Sequence, residues 1–273
     1  MKEVPDIGRT EGVLSRDLAS SLRKPEFWSY SAWLEIVTTY RRSRLGIVWM
    51  LVPAALYMWG MGWFFFGGND DKLGPFVAHA GLGFLVFRLV MMVVSESASV
   101  AASQRAFILD GRTRLTDYVF RVTARASFYF LMSLPVLLPV MLMGVKGGGW
   151  LAFAMAIGGL ALVILNCIWM ATVIAMVGAR FPDMHEFTTS LYILAFVFTP
   201  ILWRASEVQP GTFRATVMHM NPLFHFIEVV RAPLLSEAIG RSSWAVVALM
   251  AVLGWGMTMV LYKRYARMVP IWI

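Results

Sequence analysis

The chain is 273 residues long and 59% apolar, with a mean hydropathy of +0.67 and a formal charge of +8. Soluble domains carry roughly 45–50% apolar residues; an excess of this size, gathered in long runs, excludes a soluble enzyme and leaves no stretch large enough for a separate soluble domain. The basic residues flank apolar runs instead of forming one face, so the charge reads as membrane topology and not as a nucleic-acid footprint.

Residues 1–27 are polar and mixed in charge, without the apolar core of a signal peptide. Within 28–44, Trp33, Ile36, Val37 and Tyr40 recur at helical spacing and lead into Arg41, Arg42 and Arg44. Aromatic residues on one stripe with a basic end predict an amphipathic helix lying in the membrane interface; a helix packed on a soluble surface is the alternative. An uncharged first span follows over Gly46–Phe66, dense in aromatic rings. Tyr57 and Trp59 lie deep in it, and Trp63 opens a run of rings at its end. Sugar rings stack their C–H faces on such rings, so these residues suit an aromatic-lined channel; an interfacial aromatic belt is the competing explanation.

The second span covers 76–94 and holds Arg88, about six residues or roughly 9 Å from its end at helical rise. A charge at that depth is either functional or reaches to the headgroups. The loop 95–125 reads as a helical extension, a turn at Asp110-Gly111, and a second helix with Leu115, Val119 and Val122 on one face. Extensions of this kind suit docking to a partner; a solvated connection is the plain alternative. The third, fourth and fifth spans cover 126–145, 150–179 and 187–203, with a glycine turn at 147–149 between the first two of these. The segment 204–243 holds two apolar stretches, Phe213–Met220 and 224–230, each too short to cross and separated by Asn221-Pro222. This predicts a short re-entrant helical hairpin, which survives at membrane depth only when shielded by protein or a wet cavity. Glu228 and Arg231 share one face of its second helix, where they pair locally or Glu228 anchors the hairpin to another span. The sixth span covers 244–262.

The predicted fold is therefore an all-α integral membrane protein with six transmembrane helices, an N-terminal interface helix and a hairpin before the last span. It divides into an N-terminal segment, 1–45, and a membrane domain, 46–273. Seventeen of the 24 Lys and Arg residues fall on the N-terminal segment, the 95–125 loop, Arg180 and the C-terminus, which predicts that both termini are cytoplasmic.

Chemistry of its own is hard to find in the chain. Residues 144–149 are glycine-rich but lack the spacing and the Lys-Ser/Thr ending of a phosphate-binding loop. The four histidines, His79, His185, His219 and His225, show no metal-ligand spacing, no nucleophile elbow occurs, and Cys167 is alone inside an apolar run. The sequence predicts no catalytic residue, no metal and no cofactor bound by this chain.

Three motifs carry a family resemblance. Ser43, Leu45, Gly46 and Trp49, followed by Pro53, resemble the opening Ser-x-Leu-Gly-x-x-Trp signature of type-2 ABC exporter permeases. Arg180-Phe181-Pro182-Asp183 resembles the family's turn between the fourth and fifth spans. Asn221-Pro222-Leu223 with Glu228 and Arg231 resembles its motif before the last span. Length and the interface helix are similar to the polysaccharide-exporting branch, which moves O-antigen, capsule or teichoic-acid-like glycans. The resemblance implies a homodimer with two copies of a separate ATPase that binds ATP and Mg²⁺, a lipid-linked glycan as cargo, and a place in a bacterial inner membrane. It also implies that Arg41, Arg42, Arg105, Asp110, Arg112 and Arg114 lie near the ATPase-coupling surface. Tyr57, Trp59, Trp63 and Arg88 are then candidates for the channel, and Asn221, Pro222, Glu228 and Arg231 for a gate hairpin. A drug or lipid exporter of the same family, and an integral-membrane enzyme of glycan or lipid assembly, are the other readings.

Overall fold

The computed structural model describes residues 13–67, 69–110, 113–143, 149–237 and 241–273, and every regular element among them is helical. Two helices precede the first span: α1, Leu14–Arg23, and α2, Pro25–Tyr40. Pro25 opens α2, where its missing N–H leaves no hydrogen bond unmade. The chain then reverses through Gly46, whose φ of +53° is costly for any residue with a Cβ. Helix α3, Gly46–Phe66, starts in tight turns and widens into a π-helical turn over Leu56–Gly60.

Helix α4, Asp70–Ser103, is the axis of the bundle. Val77, Val86, Phe87, Val90 and Val93 are all fully buried along it. Around it stand α6, Leu115–Ser133, which continues through a tight turn at Pro135 to Leu142; α7, Trp150–Arg180; α8, Met184–Phe198; and α10, Pro222–Leu234. Short α5, Arg105–Leu109, caps the lower end of α4, and α9, Phe213–Met220, leads into α10. The last helix, α11, Arg241–Tyr265, packs against α7 and α10. Small residues permit the tightest approaches: a Cβ at Gly159 of α7 would stand 2.3 Å from the Val229 carbonyl of α10.

Among the described residues, five helices are long and apolar enough to cross a membrane: Gly46–Phe66, Asp71–Ser103, Leu115–Val140, Trp150–Arg180 and Arg241–Trp272. Helix α8 is apolar but has 15 residues. At helical rise that is roughly 22 Å, against about 30 Å of hydrocarbon. Pro200 stops it two residues past its end, so the fifth crossing predicted over 187–203 is helical only in part. The outer faces of the bundle carry bare apolar side chains, among them Trp63, Phe64, Leu151, Ile193 and Val252, each more than 65% exposed. Water would not tolerate such a surface; lipid or a second copy of the chain would cover it. The protein is a multi-pass membrane protein.

The two ends of the bundle differ in kind. One, here the basic end, carries α1, α2, α5 and the C-terminal turns. The other, the hairpin end, carries α9, α10 and the loop after α8. Three sequence expectations shift. Helix α2 buries Ala32 and Ile36 against α6 and leaves Trp33 45% exposed beside Phe128, because its packed stripe lies one step round from the predicted one. Helix α1 forms where no element was predicted. The third span begins at Leu115 instead of near 126, since the second loop helix and the span are one continuous helix. The glycine turn at 147–149 falls outside the described residues except for Gly149.

Candidate functional site

The basic end is assembled from ion pairs between segments far apart in the sequence. Arg125 of α6 binds both Glu35 of α2 and Glu96 of α4, clamping α2 to the bundle. Tyr40, at the last turn of α2, shares a hydrogen bond with Tyr129 of α6, 3.1 Å between the hydroxyls. Asp17 of α1 is completely buried. It accepts from the Tyr262 hydroxyl at 2.9 Å and pairs with Nε of Arg114 at 3.4 Å. The Arg114 amide donates to Asp117 Oδ2 at 2.9 Å, capping α6.

Beyond this rigid base, the predicted coupling residues separate. Arg41, Arg42, Arg105 and Asp110 are exposed at the basic end. Arg114 turns inward onto Asp17, and Arg112 lies outside the described residues, as does Gly111 of the predicted turn. Helix α5 seats Ile108 in the bundle and presents Phe107 and Leu109 outward, 61% and 50% exposed. The short helix therefore carries two bare apolar side chains beside Arg105, an exposed apolar patch at the basic end. The sequence pattern hid these two residues because a five-residue helix is too short to show a stripe.

In the membrane-spanning middle, Tyr57 stacks on Phe84 with ring centroids 4.0 Å apart and meets Phe196 edge-on. Tyr57 lies within the π-helical turn Leu56–Gly60, and such turns are frequent at functional positions. Trp59 donates from Nε1 to the Val136 carbonyl at 3.0 Å. Trp63 points away from the bundle. Within one chain, then, these three rings do not share a cavity. Arg88 lies over the Tyr129 ring, 5.4 Å from its centroid, and its buried Nη1 finds no hydrogen-bond partner among the described residues.

At the hairpin end, Asn221 works in two directions. Its Oδ1 accepts the Leu223 amide at 2.9 Å, capping α10, and its Nδ2 donates to Thr199 Oγ1 at 2.9 Å, fastening the hairpin to the end of α8. Pro222 occupies the first position of α10. Arg231 is fully buried; it donates to Glu228 at 2.6 Å and to the Pro200 carbonyl at 2.9 Å. The i, i+3 pair is real, and the anchor to another element is Arg231, not Glu228. His225 bridges the Ser243 hydroxyl and the His219 carbonyl.

Outside these contacts the hairpin end opens into a cavity of about 570 Å³ lined by Phe66, Lys72, Phe76, His79, Trp203 and Arg204, among others. His79 reaches Glu237 at 3.1 Å. Burial opposes ionisation of Glu237, but that hydrogen bond, His79 and the nearby Arg231 and Arg204 charges prevail and hold its carboxyl below the usual range.

Helix α2 clamped to a polytopic bundle, exposed apolar side chains on α5 at the basic end and the capped helix α10 at the other are the features that a membrane transporter subunit would offer. Comparison with known proteins agrees. The O-antigen export system permease protein RfbA of Myxococcus xanthus is 21% identical over 234 residues, covering 84% of this chain and 89% of that protein. The family model described as ABC-2 type transporter matches residues 26–235; with that span covering most of the chain, the protein belongs to the ABC-2 type transporter family and is a transporter membrane subunit.

Proposed function

We propose that this chain is the permease subunit of an ATP-driven exporter that moves a lipid-linked polysaccharide across a bacterial inner membrane, as a homodimer joined to two copies of a separate ATPase. The observation that carries the proposal is the basic end: Phe107 and Leu109 protrude beside Arg105 from a helix whose backing is locked by Asp17, Arg114 and Arg125. A knob on a rigid base transmits a push, and the ATPase supplies it. In this reading the basic end, with the α1 helix and the C-terminal turns, faces the cytoplasm, where an ATPase and ATP are found.

The cargo assignment draws on the relative that exports O-antigen and on the aromatic surfaces. Trp63 and Phe64 lie bare on the outer face of α3, where a second copy of the chain would meet them across a channel. Phe66, Phe76 and Trp203 line the cavity at the hairpin end together with Lys72 and Arg204. Rings interleaved with charged groups pass sugars without holding them tightly. In this reading α8 and the segment to Trp203 complete a sixth crossing, α9 and α10 form the gate at the outer mouth as a re-entrant hairpin, and Arg88 faces the passage. ATP-driven approach of the two partner subunits opens the channel alternately or processively.

Deletion of the gene is expected to abolish surface polysaccharide and to accumulate its lipid-linked form inside the cell, restored by the wild-type gene only when the partner ATPase is active. Accumulation of a drug or a free lipid instead would identify another cargo of the same family. Replacement of Phe107 and Leu109 by Ser should release the ATPase from the complex; retained association with full export would remove this helix as the dock.

A further inference from the structure

We propose that Asp17 is a positioning residue that ties the start of α6 to the end of α11, so that a push on α5 reaches the last helix as well as the second and third spans. The inference rests on the exporter reading above and concerns a helix, α1, to which neither the family resemblance nor the matched region, residues 26–235, assigns a role.

The geometry joins three segments at one carboxylate. Tyr262, in the last turn of α11, donates its hydroxyl to Oδ2 at 2.9 Å; Arg114, four residues after Asp110, pairs with Oδ1 at 3.4 Å. Thr116, in the first turn of α6, donates to the Asp17 carbonyl at 3.4 Å and shares a 2.8 Å hydrogen bond with Ser21. Trp28 of α2 donates to the Ser21 carbonyl at 3.0 Å. A side chain with no exposure pays heavily for charge unless it is well paired. An apolar residue beside Leu14 would seal the same space, so stability alone does not call for a carboxylate here. What the carboxylate adds is direction: one oxygen accepts the Tyr262 hydroxyl and the other draws the Arg114 charge to 3.4 Å by electrostatic attraction, without a hydrogen bond from Nε, so that both segments meet at one group. Helix α11 otherwise packs mainly on α7 and α10, and α1 touches both α6 and α11.

The test uses the chain in complex with its ATPase, in membrane vesicles and in cells of the producing strain with their own lipid-linked glycan. The quantity read is ATP hydrolysed per polysaccharide delivered to the surface. Asp17→Asn keeps the shape and removes the charge; the ratio is expected to rise about tenfold, with the amount of assembled complex unchanged. Tyr262→Phe removes one hydroxyl and should raise it less, and the double variant should be no worse than Asp17→Asn, because both act through one contact. A purely structural role would lower hydrolysis and export together, in step with the amount of complex, and would overturn the proposal; so would an unchanged ratio in Asp17→Asn. Should Asp17→Asn fail to assemble, Tyr262→Phe decides, a raised ratio supporting the proposal and a wild-type ratio ending it. Export by the wild-type chain with a hydrolysis-dead ATPase would instead sink the exporter reading, and this inference with it.

Discussion

The basic end and the hairpin end solve the same problem, polar groups buried in a membrane protein, by opposite means. At the basic end the partners are remote in sequence: Tyr262 and Asp17 are 245 residues apart, and Arg125 lies 90 residues from Glu35. At the hairpin end most are near neighbours: Arg231 pairs with Glu228 three residues away and with the Pro200 carbonyl 31 away, and Asn221 with Thr199 22 away. The first arrangement welds separate segments into one base. The second makes a small self-capped unit that is inserted into the bundle as a piece. In the proposed exporter, a base that carries force would gain from long-range ties, and a gate that moves as a body would gain from local ones.

The contrast is broken most severely at Arg231. Arg231→Met fills the same space but strands the Glu228 carboxylate and the Pro200 carbonyl, and should cost about 3–5 kcal/mol. Thermal unfolding of the detergent-solubilised protein measures it; a loss below that of the next variant would show that the hairpin is not held by this residue. Arg125→Met leaves Glu35 and Glu96 facing each other without their cation. Those carboxylates are 38% and 22% exposed, so water offsets part of the loss, and about 2 kcal/mol is expected, between an exposed and a buried pair. It should also free α2, read as faster protease cleavage after Arg41. Asn221→Ala removes the cap and the tie to Thr199 and should cost about 1 kcal/mol, with loosening confined to α9 and α10 in amide exchange.

Most of the spans were legible in the sequence because an apolar run of sufficient length has few other uses. The two short helices before the last span were legible for a different reason: Asn221-Pro222 is both a helix stop and the cap and first residue of the next helix, so one dipeptide defines two boundaries. Helix α1 was hidden because its buried stripe is Leu14, Asp17 and Ser21. Two of those three are polar and become buried only by meeting Tyr262, Arg114 and Thr116, none of which is near in sequence. The same holds for Arg125, which counts as one more basic loop residue until Glu35 and Glu96 are brought to it. Charge counts place a loop on one side of a membrane; they do not say which charges face each other. Arg114 shows the cost, since a position close to the coupling turn proved to point into the base.

The smallest expected effect tests a long-range ion pair at the hairpin end, His79 with Glu237, 158 residues apart. Because the folded carboxyl of Glu237 is held below its ordinary range, its ionised form favours the folded state. That contribution is complete at neutral pH, where folded and unfolded chains are both ionised. It begins to fade as the pH falls through the ordinary carboxylate value of about 4.3 and is gone below the lowered folded value. Glu237 is 32% exposed, so the effect should stay under about 1 kcal/mol. Glu237→Gln should therefore lower the melting temperature slightly at pH 7, and the gap from wild type should close on acidification toward pH 3. A gap that persists unchanged into acid would mean that the contact acts by shape and hydrogen bonding alone, and that the hairpin end has no electrostatic tie of the kind that builds the base.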